Sequence, residues 1–445
     1  MNDTELQALA REAFVYAFPL HEMTRMRAAT SPRRLPGVGF AGDGAHSTQR
    51  WANVFTATRQ LLGAGGSRVV TPNNDTLYLN AWLDLNEGPL VIDVPDSDGR
   101  YYVLGLLDFY TNPFAHLGSR LTGNGARAFV VLGPGARQVP QGFEAAGAVV
   151  RAPTRWVWII GRILVDGEHE LPVVHALQDR FRLHRLDDWR AGRDSAPLRF
   201  DARCDAQAPL DVAGFVANVN RALRENPPPA DEQALVARFA AVGLGADCAD
   251  MPTPEHRALL QPALAQGMAG LQAGGLGDTL VDGWSMPKLL QGGFGADHLR
   301  RAAVALKYIG ALESAEAVYP MAYVDAEGRP LSGDHAYRLH FAPGRLPPVN
   351  GFWSLTMYDR RNFMLVPNDI GRHAIGDRTR GLVHGADGSL TVYLQAQPPR
   401  DAAARANWLP APEGAFYLCL RAYLPKPPLL EGGYRLPGLL RCDPS

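Results

Sequence analysis

The sequence predicts a mainly β chain with a helical segment: two β-sandwich-like regions joined by helices. Three observations carry this prediction. Residues 67–165 alternate apolar and polar side chains in short runs broken by turn signals such as Ser97-Asp98-Gly99. The stretch from Pro209 to about Val318 changes to helical spacing, and from Met321 the alternation returns and continues nearly to the end. Successive strands without intervening helices cannot build parallel crossover units, which need a dozen or more connecting residues, so a sandwich or barrel is the economical packing for each β region. A chain of 445 residues exceeds one ordinary core, and two or three units are expected. The expected division is an N-terminal helical segment over 1–66, a first β domain over 67–200, a helical linker over 201–320 and a second β domain over 321–445.

In chain order, an opening helix is expected from about Thr4 to Phe18, capped by Asp3 and interrupted at Pro19, with a short second helix over Trp51–Leu62. Strands follow at Thr76–Leu85, Tyr101–Tyr110, Ala128–Leu132 and Arg155–Val165. Helices are expected at Pro209–Glu225, from Asp231 through Val242, after the Thr253-Pro254-Glu255 start signal, and from Asp297 to about Val318. The second β region offers His335–Phe341, Phe352–Asp359, Ser389–Gln395 and Phe416–Leu424.

Charge and motifs exclude several classes of function. Lys and Arg number 44 against 45 Asp and Glu, so no electrostatic case exists for nucleic acid or an anionic membrane. No apolar run is long enough to span a bilayer. The first residues lack the basic and apolar regions of a secretory signal, so the cytoplasm is the expected location. Cys204, Cys248, Cys419 and Cys442 have neither C-x-x-C spacing nor neighbouring histidines. Patterns for a phosphate-binding loop, a dinucleotide fold, a zinc protease or a serine nucleophile elbow are missing. His335 and His340 have opposite parity on one strand and cannot share a metal. No cofactor and no local metal site are therefore expected; a cupin-like site could arise only from residues distant in sequence.

The stretch with most information is Thr71 to Leu85. At period two, Leu77, Leu79, Ala81, Leu83 and Leu85 form a core face, and Tyr78, Asn80 and Trp82 form an opposite face that suits a pocket or an interface. Asn73, Asn74 and Asp75 form a turn before it. Asp108 sits at the end of an apolar face with Tyr110, and Arg162 shares a face with Trp156, Trp158 and Ile160, so Arg162 should be buried and paired with Asp75 or Asp108. Two readings stay open: a structural ion pair, or the polar end of a ligand pocket. In the second, Asp75, Asp108, Arg162 and His116 are candidate catalytic residues, and Asn73, Asn74, Tyr78, Asn80, Trp82 and Tyr110 are candidate substrate ligands. The second β region adds Trp353, Tyr358 and Arg378 from a similar aromatic and charged set.

Three motifs of the first region are Thr71-Pro72-Asn73-Asn74-Asp75-Thr76-Leu77-Tyr78, Leu107-Asp108-Phe109-Tyr110-Thr111-Asn112 and Trp158-Ile159-Ile160-Gly161-Arg162. They resemble the bacterial family called domain of unknown function 1254. Phe352-Trp353-Ser354-Leu355-Thr356-Met357-Tyr358-Asp359, Ile375-Gly376-Asp377-Arg378 and Asn407-Trp408-Leu409-Pro410-Ala411-Pro412 resemble its usual partner, domain of unknown function 1214. The resemblance implies two jelly-roll-like β-sandwich domains joined by helices, and a symmetric homo-oligomer; it supplies no catalytic mechanism. The chain departs from the pattern at Tyr16-Ala17-Phe18-Pro19, where the family often reads Tyr-Gly-Tyr-Pro.

Two functions are weighed on these residues. One is a cofactor-independent enzyme, a hydrolase, lyase or isomerase, acting on a small polar or hydroxylated molecule by carboxylate acid-base chemistry in the first β domain. The other is a non-catalytic ligand-binding or assembly protein.

Overall fold

A computed structural model describes residues 1–44, 47–63 and 71–443; the expected start of the first β domain at residue 67 lies outside them. The chain opens with a helix over Asp3–Thr30, capped by Asn2. This helix runs through Pro19, against the expected break. A proline inside a helix removes one hydrogen bond, but here Phe14, Tyr16, Ala17, Phe18 and Leu20 are all at most 1% exposed, and their burial offsets that loss. The helix expected over Trp51–Leu62 is absent. Gln49–Ala52 is a strand that pairs with Leu198–Asp201, and Thr56–Ala57 is an edge strand on Thr76–Asp84.

The first β domain is a sandwich. Its five-stranded sheet runs Thr56–Ala57, Thr76–Asp84, Trp156–Leu164, Tyr102–Leu107, Pro113–Gly118, and its four-stranded sheet runs Val149–Arg151, Arg127–Leu132, Leu90–Val94, Arg182–Arg185. Leu77, Leu79, Ala81 and Leu83 pack with Leu104, Leu106, Ile159 and Ile163 between the sheets. The leucine face is core, as alternation requires.

The opposite face of the five-stranded sheet is also covered. Trp82, Val103, Leu107, Trp156 and Trp158 join one cluster with the opening helix and with helices Val212–Glu225, Pro254–Ala273 and His298–Lys307. The last helix ends well before Val318; the chain then turns and lies flat on the sheet. At Gly105 an added Cβ would meet a Leu312 methyl at 2.2 Å, so the Leu312 side chain packs directly on the sheet at this glycine.

The second sandwich pairs a seven-stranded sheet, centred on Phe416–Tyr423 and Trp353–Asp359, with a four-stranded sheet of Trp408–Pro410, Leu390–Gln395, Ala336–Phe341 and Leu440–Cys442. Strands Thr279–Val281 and Trp284–Met286 belong to the larger sheet. The expected all-helical linker over 201–320 thus contributes edge strands to the second domain. Among the described residues no helix is long and apolar enough to cross a membrane.

Candidate functional site

The turn before the Thr76–Asp84 strand is plugged into the second sandwich. Asn73 shapes it by accepting the Asp75 N–H at 2.7 Å, a local Asx turn. Its amide then donates to the Tyr423 hydroxyl at 2.7 Å and to Thr76 Oγ1 at 3.2 Å. The Pro72 carbonyl accepts from Tyr358 Oη at 2.7 Å, and Arg421 donates to the Thr71 carbonyl at 3.0 Å and to Thr356 Oγ1 at 2.9 Å. Asp75 receives Ser354 Oγ at 2.5 Å on one oxygen and Arg378 at 2.9 Å on the other. Arg378 also reaches Asp166 at 3.2 Å and lies 4.4 Å over the Phe352 ring. Asn74 faces partly outward, and its buried side-chain oxygen has no partner among the described residues.

Arg162 is buried, as expected, at 8% exposure. The expected carboxylate partner is not there: Asp75 is taken by Ser354 and Arg378, and Asp108 by its own turn. Among the described residues nothing hydrogen-bonds to the Arg162 guanidinium, and its Nη1 is fully enclosed with no partner. Its strongest electrostatic neighbours are the phenols Tyr319, Tyr78, Tyr423 and Tyr101, and it lies 5.6 Å over the Tyr78 ring. Burial pushes the hydroxyls of Tyr101, Tyr319 and Tyr423 above the usual phenol range, so they remain neutral and give the guanidinium no counter-charge. Tyr319 keeps some accessible surface among these buried groups, and we call the space that Arg162, Tyr78, Tyr101, Tyr319 and Tyr423 surround the chamber. A cavity of about 370 Å³ is lined by Thr58, Arg59, Gln60, Leu62, Asn73, Thr76 and Tyr78; Tyr78 connects it to Arg162, and Asn73 to Tyr423.

His116 lies in the Pro113–Gly118 strand rather than in a loop. It is buried beside Glu313, 3.8 Å away, and within the field of Arg162. Burial first, then Arg120 and Arg162, hold its pKa down to about 4 against the pull of Glu313. Arg120 bridges Glu313 and Glu316, and Glu316 accepts the Tyr101 hydroxyl at 2.8 Å.

Several expected site residues lie elsewhere. Asp108 accepts the backbone N–H groups of Tyr110 and Asn112 at 2.9 Å each, plus the Asn112 amide; it caps a turn against the helices. Burial lifts its carboxyl to about 6 despite those bonds. Tyr110 donates to the Asn226 carbonyl in the helical layer. Trp82 stacks on Trp158 at 5.5 Å and donates to Thr30 Oγ1, and Asn80 donates to the Thr30 carbonyl. The face read as a pocket lining is thus, over Asn80 and Trp82, the seat of the opening helix. Trp353 fills the interior of the second sandwich.

The chamber brings together Asn73, Asp75, Tyr78 and Arg162 from the expected set, with Tyr358 and Arg378 holding its wall from behind. Tyr101 and Tyr319 belong to it, and Ser354 bonds its Asp75; none of the three was singled out as a site residue from the sequence. Tyr101 opens the expected strand Tyr101–Tyr110 and could have been found; nothing local distinguishes Tyr319. Among the described residues no group of three or more His, Cys, Asp or Glu side chains is placed to hold a metal ion, and all four cysteines are free thiols.

Residues 52–185 match the family model described as protein of unknown function DUF1254, and residues 316–427 match the one described as protein of unknown function DUF1214. The crystal structure of the VPA0106 protein from Vibrio parahaemolyticus is similar over 98% of this chain and 100% of its own, with 25% sequence identity and a TM-score of 0.73. An uncharacterized protein from Burkholderia cenocepacia aligns over 97% of this chain and 88% of its own at 14% identity, with a TM-score of 0.43. No curated protein matches.

Proposed function

We propose that this chain, which belongs to the family pairing DUF1254 with DUF1214, binds a small polar or hydroxylated molecule in the chamber between its two sandwiches. One observation carries the reading. A buried guanidinium without a partner is costly, because its hydration is lost and nothing replaces it. A fold that places Arg162 so, ringed by phenols and beside a cavity, fits a site completed by a ligand.

A catalytic role, as a hydrolase, lyase or isomerase, is the second reading. It is favoured by the position of Asp75, which holds Ser354 at 2.5 Å and stands within the electrostatic field of Tyr423 at the chamber wall. The other carboxylate in that scheme, Asp108, is occupied by its turn and has no part in it.

A thermal-shift screen of small hydroxylated and polar compounds tests the binding reading, since a ligand that binds only the folded state raises the midpoint with its concentration. The expected result is a saturable rise that is lost when Tyr319 is changed to Phe or Tyr78 to Ala. A flat response across the screen, with variants at these positions changing only the oligomer size in gel filtration, would favour an assembly role instead.

A further inference from the structure

We infer that the ligand of this chamber is a small hydroxylated carboxylate whose anionic head pairs with Arg162. The inference rests on the chamber being a ligand site, and it adds the chemical class.

The charge inventory points to an anion. Arg162 is always protonated, is at least nine-tenths buried, and has donors that no described residue takes up. Burial raises the pKa of the Tyr101, Tyr319 and Tyr423 phenols and keeps them neutral. The nearby carboxylates already have partners: Glu316 takes Tyr101 and Arg120, Glu313 takes Arg120, and Asp75 takes Ser354 and Arg378. The other deeply buried guanidinium facing Tyr319, that of Arg421, is bonded to Thr356 and the Thr71 carbonyl. Among the described residues around the chamber, Arg162 therefore remains the open cation; Arg59 on the cavity wall is paired with Asp179.

A single guanidinium matches a carboxylate, which carries one charge and presents two oxygens to its fork. A phosphate ester carries nearly two charges at neutral pH and is ordinarily met by several cations or by a row of backbone N–H groups. The rest of the ligand is read from the adjoining cavity. Its walls carry the hydroxyls of Thr58, Thr76 and Tyr78, the amides of Gln60 and Asn73, the Arg59 guanidinium and the Leu62 side chain; the hydroxyls and amides suit hydroxyl groups, and Leu62 suits a short carbon skeleton. At about 370 Å³ it lies near the lower end of small-molecule sites, roughly 300–1,000 Å³. A short hydroxy acid or sugar acid fits this description.

The test is calorimetric titration and thermal shift of the full chain with matched probes: glycolate, glycerate and gluconate, their neutral amides, glycerol and sorbitol, and inorganic phosphate and glycerol phosphate. The expected result is saturable binding of at least one hydroxy acid, and its amide weaker by about 10–100-fold, as expected for loss of a charge-assisted contact. Arg162→Met should abolish the preference for acid over amide, and Arg162→Lys should keep part of it. The acid-against-amide comparison on the unaltered protein decides the matter even if both variants fail to fold. Neutral polyols binding as tightly as the acids, with no dependence on Arg162, would overturn the carboxylate and leave the ligand chamber standing. Binding of the phosphates alone would also overturn it. No binding by any probe would overturn the chamber itself as a ligand site.

Discussion

Arg378 of the second sandwich donates to Asp75 of the first at 2.9 Å, across 303 residues of sequence, and so ties the turn that walls the chamber to the opposite domain. Asp75 is nearly buried, and Arg378 keeps partial access to solvent. Removing Arg378 leaves Asp75 with only the Ser354 hydroxyl, whereas removing Asp75 leaves Arg378 its contact with Asp166. Arg378→Met should cost about 2 kcal/mol or more, short of the roughly 3–5 kcal/mol for a fully buried pair because solvent screens the exposed side. Adding Asp75→Asn should recover part of that loss. Urea unfolding of the two single variants and the double variant measures the coupling, and strictly additive losses would deny it.

Asn73 concentrates three hydrogen bonds in one side chain: to the Asp75 N–H, the Tyr423 hydroxyl and Thr76 Oγ1. Asn73→Ala should destabilise by about 2–3 kcal/mol, since net hydrogen bonds contribute about 1 kcal/mol each and a buried phenol loses its donor. Asn73→Asp keeps the turn but loses the amide donor, so it should fall between alanine and the unaltered protein. Chemical denaturation ranks the three.

Arg162 should behave in the opposite way to a structural ion-pair residue. Its charge is buried without an acid, so in ligand-free protein Arg162→Met should be neutral or stabilising, by on the order of 1 kcal/mol. A loss of about 3 kcal/mol or more, the signature of breaking a buried pair, would mean that the guanidinium is satisfied within the fold and needs no ligand.

His116 sets a pH dependence whose sign can be worked out. Burial lowers its pKa from 6.5 to about 4, so the folded state holds it neutral while the unfolded chain takes a proton below about 6.5. The unfolded state then binds more protons, and stability falls as pH drops from about 6.5 to 4, by up to roughly 3 kcal/mol for this one group. Asp108 acts oppositely. Its carboxyl is raised from 3.8 to about 6 by burial, so it costs stability as pH rises through that window. The difference between the unaltered protein and His116→Gln isolates the histidine: the variant should lose less stability between pH 7 and pH 4, and parallel curves would contradict the assignment.

The residue pattern alone determined the alternation of β, helical and β regions. It also determined the core face of Leu77, Leu79, Ala81 and Leu83, the helix start at Thr253 and the burial of Arg162. These follow from local periodicity, turn chemistry and the parity of side chains along a strand, all of which act within a few residues. Three outcomes were settled only by the tertiary structure: Pro19 lies inside a continuous helix, Asn80 and Trp82 seat that helix instead of lining a pocket, and the Thr71–Asp75 turn enters the second sandwich. Parity says which residues share a face and nothing about what covers it. That choice belongs to surfaces hundreds of residues away, where Arg378 and Ser354 reach Asp75 first and leave Arg162 facing tyrosines.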